Sequence, residues 1–322
     1  MTIMNTELIN KLIELVGNQF SSQISDILEK YDITRKITPT TNTNNELLNS
    51  FLSAKRVEGK SLKTLKYYKN TLTQLFDNVK KALKQITTDD LRNYLSDFQN
   101  KKGSSNVTID NIRRIFSSFF SWLEDEDFIV KSPVRRIHKV KTPKIIKETL
   151  SDEDLERIRE STVSYRDRAI IEFLASTGVR VGEIVNLNIN QIKFEDRSAI
   201  VLGKGNAERE VYFDARAKIH LQRYLLSRTD KNNALFVSNK TPNNRLTIGT
   251  IESIVKKLGE KSEVHHVHPH KFRRTLATRA IDKGMPVEQV QKLLGHVRID
   301  TTMHYAMVSQ ANVKNSHRKY IS

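Results

Sequence analysis

The chain contains no cysteine. Disulfides, cysteine nucleophiles and thiolate-ligated zinc sites are thereby excluded. It also has no run of about 18 apolar residues, so nothing in it reads as a membrane-spanning helix. The opening, MTIMNTELINKLIELVG, lacks the basic start and apolar block of a secretory signal. These absences predict a protein that works in the cytoplasm and has no membrane partner. Acidic residues are the scarce charge: 37 Asp and Glu stand against 54 Lys and Arg, a formal net charge of +17. Such an excess speaks of partners rather than of fold. A nucleic acid is the natural partner, because each neutralised phosphate releases condensed counterions.

What is present suffices for real cores. Hydrophobic residues make up 38% of 322 residues, a length that suits two domains. Residues 1–45 read as a helical N-terminal extension that ends in the Thr/Asn-rich linker TRKITPTTNTNN. Residues 46–130 show helical periodicity in four stretches, with Ser61 and Thr88 as candidate caps, and form a compact all-helical domain. Residues 131–148 form a basic linker: KSPVRRIHKVKTPKIIK holds seven Lys or Arg, no acid and two prolines. The second domain, 149–322, opens on a capping box at Ser151 and Asp154. RDRAIIEFLASTG reads as a helix closed by Gly178 in the left-handed cap position. INQIKF, SAIVLG and REVYF then read as three short strands, before helices return. The expected fold is mainly alpha with a small antiparallel sheet.

Four polar clusters carry the candidate chemistry. In TGVRVGE, Arg180 precedes Glu183 by three residues, so the two share a face if a helix restarts at Val181. In GKGNAERE, Lys204 lies between two glycines at a strand-to-strand turn. The spacing and following helix of a nucleotide-binding loop are missing. In HHVHPHKFRRTLATR, Pro269 suits a helix start, and His270 and Arg273 are three apart in that first turn. A zinc site on His266, His268 and His270 remains open here, although Pro269 interrupts the strand that would align them. In LLGHVRIDTTMHYAMV, Gly295 ends a helix, His296 follows it and Tyr305 comes nine residues later. Each cluster alone has an ordinary structural explanation. Together, arginines, a lysine and histidines around a tyrosine suit phosphoryl transfer. Guanidinium forks stabilise the non-bridging oxygens, and a tyrosine can be the nucleophile. No metal, ATP or other cofactor is needed if a covalent phosphotyrosine stores the bond energy.

TGVRVGE, GKGNAERE, HPHKFRRTLATRA and LLGHVRIDTTMHY resemble, in order and spacing, the tyrosine recombinase/integrase family, which includes Xer-type recombinases and phage or mobile-element integrases. The resemblance covers residues 46–310. It implies a core DNA-binding domain followed by a catalytic domain. It implies that Arg180, Lys204, His270, Arg273, His296 and Tyr305 are catalytic and that Glu183 supports Arg180. Arg274 stands where many relatives have histidine. The implied reaction cleaves and rejoins double-stranded DNA through a 3′-phosphotyrosine on Tyr305. The implied partners are DNA core sites, a homo-tetramer on two duplexes, and accessory DNA-bending or directionality proteins. The 45 extra N-terminal residues favour a mobile-element integrase over an Xer-like dimer resolvase. A type IB topoisomerase and a non-catalytic DNA-binding regulator are the more distant alternatives.

Two terminal segments carry expectations of their own. Residues 1–31 hold only Lys11 and Lys30 as bases, against Glu7, Glu14, Asp26 and Glu29. Their repeating apolar face, Leu8, Leu12, Leu15, Ile24, Ile27 and Leu28, points to protein packing rather than DNA contact. By family resemblance, the segment after Tyr305 docks on a neighbouring protomer.

Overall fold

The structure, a computed structural model, describes residues 12–13, 17–23, 43–142, 148–203, 208–303 and 305. Its fold is mainly helical, with one small antiparallel sheet. The chain divides into two compact units, Met1–Lys144 and Ile145–Ser322. Among the described residues, no helix is long and apolar enough to cross a membrane. The N-terminal packing face and the segment after Tyr305 lie, wholly or for the most part, outside the described residues.

The first unit is built on α1 (Asn44–Val57), α2 (Leu62–Val79), α3 (Thr88–Lys102) and α4 (Asn106–Asp125). Each begins at a hydroxyl side chain, Thr43, Ser61, Thr87 or Ser105, that accepts a backbone amide of the first turn. The cap of α3 is Thr87 and not Thr88. Asp90 lies three residues after Thr87 and closes a capping box with it, whereas the Thr88 hydroxyl donates to the Pro133 carbonyl at 2.7 Å. Ile112, Ile115, Phe116, Phe119, Phe120 and Leu123 form the buried stripe of α4, in one core with Phe51, Leu72, Leu75 and Leu91. Phe51 and Phe119 meet edge-on with ring centroids 5.1 Å apart.

The basic segment is part of this unit as far as residue 142. Val134 is buried in its core, and Ile137 and Val140 pack against it. Asp110, buried on α4, accepts from Arg113 at 2.9 Å and Arg114 at 2.8 Å, and takes the Val140 amide at 3.2 Å. Asn106 donates to the Lys141 carbonyl at 3.0 Å. These bonds fix the segment along the helices, so it is not a free tether over that length.

The second unit runs through α5 (Asp152–Glu160), α6 (Tyr165–Thr177) and α7 (Val181–Asn186) into β1 (Ile192–Lys193), β2 (Ser198–Leu202) and β3 (Glu208–Tyr212). It continues through α8 (Ala215–Leu226), α9 (Ile248–Lys261), α10 (Pro269–Asp282), α11 (Val287–Leu294) and α12 (Ile299–Met303). The strands pair antiparallel in the order β1-β2-β3, with Ser198 opposite Tyr212 and Leu202 opposite Glu208. The first half of the expected first strand is instead a 3-10 turn at Ile189–Gln191. The Asn188 amide donates to Gln191 Oε1 at 2.8 Å, a local bond that competes with ladder pairing. Helix α6 is the centre of the unit. Its Ile170, Ile171, Phe173 and Leu174 share a core with Ala199, Val201 and Val211 of the sheet, and it packs on both α8 and α10.

Gly178 ends α6 in the left-handed region, at φ +58°. A Cβ there would stand 2.7 Å from Leu276 Cδ2 and 3.6 Å from the Arg273 Cα, so the bare backbone lets α6 end hard against α10. Gly178→Ala is expected to lower the unfolding free energy by about 1–2 kcal/mol. A urea titration measures it, and an unchanged midpoint would contradict this close approach.

Candidate active site

Arg180 is the last of the three residues between α6 and α7. Its extended backbone makes it the N-cap of α7, and Glu183, one turn on, reaches back to it. The Arg180 amide donates to Glu183 Oε2 at 2.7 Å, and Arg180 Nη1 donates to Glu183 Oε1 at 2.7 Å. Glu183 is only 4% exposed. Its other flank is taken by Arg209 of β3, whose Nη1 and Nη2 donate to the two carboxylate oxygens at 2.6 and 2.7 Å. Burial alone would raise the Glu183 pKa, but the Arg209 fork and the Arg180 bonds outweigh it and hold the carboxyl below its ordinary value.

The guanidiniums are aimed by helix C-termini, whose free carbonyls carry partial negative charge. Arg273, on α10 and 2% exposed, donates through Nη1 to the Gly178 carbonyl at the end of α6, at 2.7 Å. Its Nη2 donates to the Leu294 carbonyl at the end of α11. Arg180 Nη2 donates to the next carbonyl of that turn, Gly295, at 2.9 Å. Among the described residues, Arg273 has no carboxylate partner. Burial, and then the charges of Arg180 and Arg209, press its pKa down to about 10. That value still leaves it charged at neutral pH. Arg180 and Arg209 bond to the one carboxylate and Arg273 lies within their field, so among these four described groups two positive charges are uncompensated.

Gly295 closes α11 in the left-handed conformation and puts His296 beside this cluster. His296 Nδ1 lies 2.8 Å from the hydroxyl of the fully buried Thr302 on α12. Burial, followed by Arg273, Arg180 and Arg209, drives the His296 pKa down to about 4, so the ring is neutral at pH 7. Tyr305 follows α12. Its amide donates to the Thr302 carbonyl at 2.9 Å, and its ring packs on Ala277, Val290 and Leu294. The Tyr305 and His296 rings are 5.9 Å apart. His270, in the first turn of α10, is exposed at the surface of the same cluster. Partial burial, then Arg273 and Arg180, lower its pKa.

Arg180, Glu183, His270, Arg273, His296 and Tyr305 are therefore gathered from three separate stretches of chain. Lys204 lies outside the described residues, between β2 and β3 in the sequence. Among the described residues, no group of three or more His, Asp or Glu is placed to hold a metal, so His266, His268 and His270 do not form a ligand set. Two participants escape a reading of the sequence. Arg209 gives itself away only by sharing a strand face with the core residue Val211. Thr302 carries no local signal.

A family model described as the phage integrase family matches residues 135–312, and one described as the phage integrase N-terminal SAM-like domain matches residues 47–129. The chain belongs to this family, the tyrosine recombinases, and is an enzyme of that class. Among curated relatives, tyrosine recombinase XerC of Staphylococcus carnosus is 32% identical over 286 residues, covering 84% of this chain and 95% of that protein. XerC of Oceanobacillus iheyensis is 30% identical, covering 80% and 89%. The fold is shared with the crystal structure of XerH site-specific recombinase bound to palindromic difH substrate, at a TM-score of 0.69 and 22% identity, covering 87% of this chain and 85% of that one.

The lowered pKa of His296 has a consequence for stability. Between pH 6.5 and about 4 the unfolded chain binds a proton on this ring that the folded chain does not. The stability it contributes is complete above pH 6.5 and is lost as pH falls toward 4. The wild type should lose about 3 kcal/mol more than His296→Gln over that window, measured by urea unfolding at several pH values. Parallel losses would contradict the neutral, half-buried imidazole.

Proposed function

We propose that this chain cleaves and rejoins double-stranded DNA at specific sites through a covalent 3′-phosphotyrosine on Tyr305. The observation that carries the reading is Arg273, a buried guanidinium held by two carbonyls, among like charges and, among the described residues, without a carboxylate partner. A buried charge left in that state is costly. A phosphodiester entering the cluster supplies the missing anion.

In this scheme the Tyr305 oxygen attacks the scissile phosphorus and the bond to the 5′-oxygen breaks. Arg180 and Arg273 neutralise the non-bridging oxygens in the transition state. His296 joins them. With its Nδ1 accepting from Thr302, the neutral ring carries its proton on Nε2 and donates it to the phosphate. His270, neutral near pH 7, takes the tyrosine proton. Lys204 protonates the departing 5′-oxygen. Rejoining is the reverse, with a 5′-hydroxyl attacking the phosphotyrosine. Glu183 orients Arg180 and touches no reacting atom. Residues 46–130, with the basic segment packed on them as far as residue 142, serve as the core DNA-binding domain and 149–322 as the catalytic domain. Four protomers on two duplexes perform the exchange, with accessory DNA-bending or directionality proteins setting its direction.

The proposed role is integration and excision of a mobile element, on the strength of the 45 residues that precede the helical domain. Chromosome or plasmid dimer resolution is the second reading, favoured by the XerC relatives. Sequencing the DNA held covalently by the protein in cells decides between them. Ends that flank the chain's own gene support the first, and one conserved replicon site supports the second.

Tyr305→Phe should bind the mapped duplex normally yet form no covalent adduct, and the wild type should form one in EDTA. An adduct of equal yield in the variant, or a strict need for a divalent cation, would contradict the scheme. Lys204→Ala should cleave slowly on ordinary DNA and recover much of its rate when a bridging 5′-phosphorothiolate provides a leaving group that needs little protonation. Equal defects on both substrates would show that Lys204 only positions DNA.

A further inference from the structure

The scheme above gives Arg209 no part, yet it contacts the groups that hold the other two guanidiniums of the cluster. Its fork closes on Glu183 from the side opposite Arg180. Its Nε donates to the Leu293 carbonyl at 3.4 Å. Its stem lies across Gly295, where a Cβ would stand 2.8 Å from Arg209 Cδ and 3.0 Å from Nε. One side chain therefore touches both the carboxylate that orients Arg180 and the turn that holds the rest. That turn offers the Leu294 carbonyl to Arg273 and the Gly295 carbonyl to Arg180, and it leads into His296. The exposures separate the two arginines: the Arg180 side chain is 31% exposed and that of Arg209 only 12%. Arg180 stands at the open side of Glu183 and Arg209 behind it.

We infer that Arg209 is a positioning residue for strand cleavage, fixing the Glu183 carboxylate and the Leu293–His296 turn so that Arg180 and His296 face the scissile phosphate. The inference rests on the proposed reading of Tyr305, Arg180 and His296. A bidentate fork fixes the plane of a carboxylate, which a single bond leaves free to turn. Lysine keeps the charge but cannot fork, so it is a poor substitute here. Like Lys204, Arg209 belongs to the segment between the start of β2 and the end of β3. It ties that hairpin to the arginine cluster by way of Glu183.

The test uses the full chain with Arg209→Gln and Arg209→Lys, on a nicked suicide duplex carrying the site mapped with the wild type. Arg209→Gln should slow single-turnover cleavage by about 10²-fold, in the range for losing one transition-state donor. Arg209→Lys should remain slow, and the affinity of both for the duplex should stay within about threefold of wild type. Because part of the effect of Arg209 runs through Arg180, the double variant Arg180→Ala/Arg209→Gln should cleave clearly faster than the product of the two single defects. A double variant slower by the product of the single defects would overturn the inference. So would a loss of affinity that matches the loss of rate. If Arg209→Gln does not fold, Arg209→Lys carries the same comparison. If the wild type itself forms no Tyr305 adduct, the recombinase scheme fails separately. A crystal structure of free Arg209→Lys then decides the positioning claim, which expects Arg180 to leave the Gly295 carbonyl and is overturned if that bond stays in place.

Discussion

The buried carboxylate of Glu183 is the point on which this site depends. It accepts from Arg180 on one side and from Arg209 on the other, and it holds Arg180 by both backbone and side chain. Removing one partner of such a cluster leaves an uncompensated buried charge, typically at a cost of about 3–5 kcal/mol. The carboxylate also limits the surplus of positive charge without cancelling it. Two further acids would complete the neutralisation and leave nothing for a phosphate to do.

The rest of the arrangement uses the ends of helices. Phosphates often bind at helix N-termini, where free amides point outward. Here C-termini do the complementary work: the carbonyls after α6 and α11 grip the arginines and aim them. That is possible only because both helices end at glycines, Gly178 and Gly295, each with a neighbour too close for an unhindered Cβ. His296 follows the second glycine and sits among three cations. It stays neutral there and is fit to donate to an oxyanion from one nitrogen while Thr302 holds the other. Tyr305, one short helix further on, packs against the apolar faces of α10 and α11 and so shares their placement.

Much of this was legible from residue order, for identifiable reasons. Capping boxes are local chemistry, and Ser151 with Asp154 forms the box that its spacing announces. The glycine C-cap at Gly178 and the proline start of α10 at Pro269 are local too. Glu183 three residues after Arg180 is a helix-turn neighbour, and the two bond as that spacing allows. What escaped depends on distant contacts. Arg209 meets Glu183 across 26 positions of sequence. The segment 131–142 reads as a tether because its charge is conspicuous, while Val134 and the Asp110–Val140 bond that fix it are not. The cap of α3 moved to Thr87 because two adjacent threonines compete and the position of Asp90 decides between them. The strand expected at 189–194 shortened because Asn188 and Gln191 satisfy each other locally.

The central claim is that a tyrosine beside this cluster becomes covalently joined to DNA. The most direct measurement is mass spectrometry of the trapped wild-type complex after digestion with nuclease and protease. The account predicts one modified peptide, with the 3′-phosphate of a nucleotide on the Tyr305 oxygen. Attachment at any other residue, or through a 5′-phosphate, would contradict it.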